Sequence, residues 1–182
     1  MNIEVQSEKG IQVASDILVL GFFNEKAPPR GLAGELDWLL NNTLSLLIKS
    51  GKVKGGFGER ILVSANRIRT SKILWTGLGK RESYNHAKIA ELAPDLYSRL
   101  EKLEVQCAYL DLWDIEGCSI DFSSALNAFL NGLFDSRDFS AEKEKKTIDL
   151  TFHVRDPERV KDLNRFLKGK EFRTRISAGT GK

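Results

Sequence analysis

The 182-residue sequence is short of several things that would reveal chemistry directly. It has two cysteines, Cys107 and Cys118, too few for a disulfide scaffold, and this usage fits a reducing compartment. Cys107 stands in an apolar run and reads as a buried free thiol, whereas Cys118 reads as a loop thiol. Two histidines, His86 and His153, stand too far apart for a metal-binding pair and read as surface residues. No Gly-x-Ser-x-Gly elbow occurs, so Ser, His and Asp name no triad. There is no Walker sequence, internal repeat or low-complexity tract. The N-terminus lacks a basic segment followed by an apolar one, and no apolar run approaches bilayer length. Without targeting or membrane signals, the expected location is cytoplasmic.

What is present is an alternation of strand and helix patterns. Ile3–Gln6 alternates and reads as an edge strand. Ile17–Phe23 is continuously apolar, as for a strand buried on both faces. Leu36, Leu39, Leu40, Leu44, Leu47 and Ile48 recur at helical spacing and predict one helix stopped by Gly51. Ile61–Ser64 and Ile73–Thr76 are further strands, and their short connection suits a hairpin. Ile89 to Leu103 is a helical pattern containing Pro94, which predicts a kink or a fresh start near Ala93. Val105–Leu110 follows as a strand and Ala125–Phe134 as a helix. Lys146–Val154 alternates like a half-exposed strand, and Asp156-Pro157 opens a last helix ended by Gly169. The expectation is an α/β fold: a three-layer α/β/α sandwich with a mixed sheet of about six strands.

Charge is uneven. Arg155–Lys182 holds nine Lys/Arg against four Asp/Glu, so the rest of the chain carries −2 of the net +3. The division expected is a domain over residues 1–168 and a basic tail over 169–182. Arg159, Arg165, Lys168, Lys170, Arg173 and Arg175 would suit phosphates, although without interleaved aromatics they also suit a solvated terminus.

Candidate ligand residues are glycines. Gly77 and Gly79 follow a buried strand, with Lys80 and Arg81 beside them, and backbone N–H groups there would cradle a phosphate. Gly55 and Gly56, flanked by Lys52 and Lys54, offer a second such turn, or a plain helix-to-strand connection. Asp111, Asp114 and Glu116 after the Cys107 strand are solvated loop acids unless a metal gathers them. Trp75 reads as core. Trp38, one place off the helical stripe, is the interface candidate.

Ile48-Lys49-Ser50-Gly51 with its Gly-rich turn, Trp75-Thr76-Gly77-Leu78-Gly79-Lys80, and Leu130-Asn131-Gly132-Leu133-Phe134-Asp135-Ser136-Arg137-Asp138-Phe139 together resemble the N-terminal domain of the leucyl aminopeptidases, from about Ile3 to Leu167. The resemblance implies a macro-like fold. In that family the metals and catalytic residues belong to a separate C-terminal domain, whose Asn-Thr-Asp-Ala-Glu-Gly-Arg and Gly-Lys-Gly segments do not occur in this sequence. The family's N-terminal domain contributes to hexamer assembly, and some members bind DNA. The resemblance therefore implies a non-catalytic interaction or assembly module without cofactor or metal, a homo-oligomer or the companion of a partner protein. ADP-ribose or nucleotide binding, as in macro domains, and DNA binding through the tail are the alternatives.

Overall fold

A computed structural model describes residues 1–8, 10–25, 28–113, 120–136 and 147–169. Six strands, β1 (Ile3–Gln6), β2 (Ile17–Phe22), β3 (Arg60–Ser64), β4 (Lys72–Gly77), β5 (Cys107–Asp111) and β6 (Asp149–His153), form one sheet in the order β1-β6-β5-β2-β4-β3. Only the β3–β4 hairpin is antiparallel; every other pairing is parallel. The sheet is mixed, as the short hairpin connection requires.

Alternation along β2 shows how the layers are filled. Ile17 and Val19 face a core shared with α3 (His86–Lys102), α4 (Phe122–Ser136) and α5 (Arg159–Gly169). Leu18 and Leu20 face a second core under α1 (Gly31–Leu39) and α2 (Thr43–Lys49). An apolar run is thus buried on both sides, and the fold is a three-layer α/β/α sandwich. Among the described residues no helix is long and apolar enough to cross a membrane.

Four expectations need correction. The stripe from Leu36 to Ile48 belongs to two helices. Asn41 and Asn42 both take left-handed backbone (φ 58°), which ends α1. Buried Asp37 then caps α2, its Oδ1 accepting the Leu44 N–H (2.7 Å) and its Oδ2 the Ser45 hydroxyl (2.5 Å). Pro94 starts no new helix, because α3 runs through it. Proline leaves the Ala90 carbonyl without its usual donor. There Gly132 of α4 approaches so closely that a Cβ on it would sit 2.1 Å from Ala90 O. His153, expected on the surface, is buried at the end of β6, whose preceding residues alternate as expected, Leu150 and Phe152 buried, Asp149 exposed and Thr151 half-buried. Cys107, a free thiol, is half-buried at the start of β5 rather than fully covered.

Candidate functional site

Parallel α/β sheets hold ligands beyond the carboxyl ends of their strands, where connections diverge to opposite faces. Here β2 leads to α1 on one face, and β4 and β5 lead to α3 and α4 on the other. The divergence falls around β2. The two glycine turns singled out in the sequence meet at this point.

They meet backbone against backbone. A Cβ on Gly77 would lie 2.1 Å from Gly56 O, and one on Gly55 2.8 Å from Phe23 O. Gly55 (φ +71°) and Gly79 (φ +76°) also need left-handed conformations. The amides are spent inside this contact. Gly77 N–H donates to Glu59 C=O (2.8 Å), Gly79 N–H to Gly55 C=O (3.0 Å) and Leu78 N–H to Phe22 C=O (2.9 Å). The Gly56 and Lys54 amides donate to the Glu59 carboxylate at 3.1 and 3.0 Å. The Gly56, Gly77 and Gly79 amides are thus engaged within the protein. Lys80 lies exposed beside them.

Side chains pack beside these turns. Arg81 lies over the Phe23 ring (4.3 Å to its centroid) and pairs with Glu25 through Nε at 2.6 Å. Hydrogen bonding from that guanidinium holds the Glu25 carboxyl below its ordinary range. The cavity left among Gly21, Phe23, Glu25, Pro29, Arg30 and Arg81 is about 10 Å³, room for about one water. Small-molecule pockets are about 300–1,000 Å³. An open groove of about 640 Å³ lies at the other end of the sheet, beside Glu101, Lys102 and Gln106.

Strand register creates a second polar pair that no sequence motif announces. Leu110 faces Phe152, so the next residues, Asp111 and His153, lie side by side, with Oδ2 3.6 Å from Nδ1. Both are buried. The Tyr109 hydroxyl donates to the Glu8 carbonyl, and burial, with Asp111 and Glu8 nearby, pushes its ionisation well above the usual phenol range. Asp114 and Glu116 lie outside the described residues. Among those described, no group of three His, Cys, Asp or Glu could hold a metal.

Trp75 and Trp113 are core residues, the latter stacked on Phe152 (5.3 Å between centroids). Trp38 is 73% exposed, and among the described residues Leu46 and Leu62 are the other large apolar side chains on the surface. Of the basic cluster, Arg159 pairs with Asp121 and Arg165 with Asp162. Lys170, Arg173 and Arg175 lie outside the described residues.

The sequence model described as "Cytosol aminopeptidase family, N-terminal domain" matches residues 19–146. The chain belongs to this family. A "Probable cytosol aminopeptidase" of Cyanothece sp. (strain PCC 7425 / ATCC 29141) is 28% identical over 117 residues, 63% of this chain but 24% of the relative. A mutant of tomato leucine aminopeptidase superposes with TM-score 0.63 at 19% identity, over 92% of this chain and 35% of that enzyme. The Trypanosoma brucei macrodomain, solved in complex with ADP, superposes with TM-score 0.69 at 12% identity, over 91% of this chain and 69% of its own. These likenesses show that this chain has a macro-like fold. The chain spans about a quarter of the curated relative it matches.

Proposed function

We propose that this chain is a non-catalytic, cytoplasmic assembly module of the cytosol aminopeptidase family that associates with copies of itself. One observation carries the reading. Among the described residues the crevice beyond β2 and β4 is occupied by the protein's own groups, with the Gly55–Gly58 and Gly77–Gly79 turns hydrogen-bonded together and Arg81 held between Phe23 and Glu25. The unspent binding capacity lies outside, in Trp38, Leu46 and Leu62. Exposed aromatic and aliphatic anchors are what protein interfaces use.

Sedimentation velocity over a wide concentration range tests it. A concentration-dependent dimer or larger species is expected, with no turnover of a fluorogenic leucine substrate when manganese or zinc is added. A chain that stays monomeric throughout, or one that hydrolyses the substrate, overturns the proposal.

Nucleotide or ADP-ribose binding is the second reading, favoured by the macro-like topology and by Arg81, a cation at the mouth of the crevice. It requires Arg81 to leave Glu25. A thermal shift with ADP-ribose that grows in Glu25→Gln would support it, and a flat response in both proteins would remove it.

A further inference from the structure

The two edges of the sheet are finished differently. At β1, Asn164 of α5 donates its Nδ2 to the Val5 carbonyl (2.8 Å) and accepts the Val5 N–H at Oδ1 (2.9 Å). The side-chain amide imitates a neighbouring strand and blocks that edge.

The β3 edge has no such cover among the described residues. Its phase follows from the bonds that bracket it: Gly77 N–H donates to Glu59 C=O (2.8 Å) and Ala65 N–H to Ser71 C=O (2.9 Å). Bonded pairs alternate along an antiparallel ladder, so Ile61 and Val63 turn their amides to β4. Arg60, Leu62 and Ser64 turn theirs outward, where no described residue meets them. Native edges are usually guarded by lysine, proline, a bulge or a free charge. The Arg60 side chain is 8% exposed and turned to Asp95 (3.1 Å), so its charge does not guard this one. Leu62, at the centre, is 47% exposed.

We propose that β3 pairs antiparallel with β3 of a second copy of this chain, about a two-fold axis at Leu62, joining the two sheets. This rests on the assembly reading above and gives it a surface. The strand complements itself in that register. Leu62 meets Leu62, Arg60 meets Ser64 and Glu59 meets Ala65, so no like charges oppose one another. Arg67 Nη1 also bonds Leu39 C=O (3.1 Å) and Asn41 Oδ1 (3.4 Å), tying the end of α1 to the turn after β3. Exposed Trp38 therefore lies at the same margin, available to a partner.

Charge-reversed variants test the register. Leu62→Lys and Leu62→Asp each set like charges face to face, with Cα atoms about 5.5 Å apart in a bonded pair. Each is expected to sediment as a monomer, and their equimolar mixture as a dimer. The wild-type chain gives a reading that needs no variant: the Arg60, Leu62 and Ser64 amides are expected to exchange more slowly with deuterium as concentration rises. A dimer that persists unchanged in both variants, or one whose three amides exchange as freely as in the monomer, overturns the β3 pairing and leaves assembly through another surface. A wild-type chain that remains monomeric overturns both readings.

Discussion

Replacing Gly132 by alanine sets two effects against each other. Alanine is favoured over glycine inside a helix by about 1 kcal/mol. Against that, the added Cβ would lie 2.1 Å from Ala90 O and 2.6 Å from Ala90 C. Favourable contacts between carbon atoms need about 3.5–4.0 Å, so α3 and α4 must separate by about 1 Å. A backbone carbonyl cannot swing aside as a flexible side chain would. Separation loosens the packing of Ile89, Ala93, Phe129 and Leu133, all buried in one core. Overpacking costs about 1–3 kcal/mol and rises when backbone is the obstacle, so the clash outweighs the propensity gain. The expected net loss is about 2 kcal/mol, a fall in Tm of about 4–8 °C for a chain of this length. Calorimetry or urea unfolding measures it, with Gly56→Ala as the control, since a Cβ there meets nothing within 4 Å. If Gly132→Ala matches or exceeds the wild type, the close helix approach and its link to Pro94 are wrong.

Asp37→Ala strips the cap from α2 and is expected to cost about 1–2 kcal/mol, read by urea unfolding. Stability should fall on acidification. Amides of Cys107 and Gln106 depress Asp16, Arg81 depresses Glu25 and the Ser124 amide depresses Asp121. A depressed folded pKa gives stability that is complete above the ordinary carboxyl value, about 3.9–4.3, and is lost as pH drops through the folded value. The combined Asp16→Asn, Glu25→Gln, Asp121→Asn variant should therefore show a flatter loss below about pH 4, and a curve parallel to wild type would contradict these roles. Burial raises the Cys107 thiol, so in a Cys118→Ser background its reaction with a disulfide reagent at pH 8 should be slower than that of a free thiol and should recover on unfolding.

Periodicity was a good guide wherever one physical cause dominated. The apolar run of β2 and the α3 stripe each reported burial alone, and both elements were legible. It failed where a local polar contact overrode the stripe. Nothing in Leu36–Ile48 shows that Asp37 will fold inward and restart the helix, although Asn41-Asn42 supplied a weak signal through its tolerance of left-handed backbone. The alternation of β6 was legible, but the burial of His153 at its end depended on lying beside Asp111 of β5, a neighbour that a window of residues does not contain. The glycines of the site were legible as special positions but not for their reason: each turn's missing side chains make room for the other turn. The Asp111–His153 and Glu25–Arg81 pairs depend on strand register and loop path, so no spacing rule pointed to them.

The placement of β1 has a consequence for the nascent chain. It is synthesised before the other five strands, yet among the described residues its sheet neighbour is β6, and the bond from Asn2 N–H to Asp149 spans 147 positions. At about 5–20 residues per second, β1 waits about 7–30 s for that neighbour to be synthesised. Until then β5 also presents an open flank, so β6, the last of the six to be made, completes both sides of the gap at once.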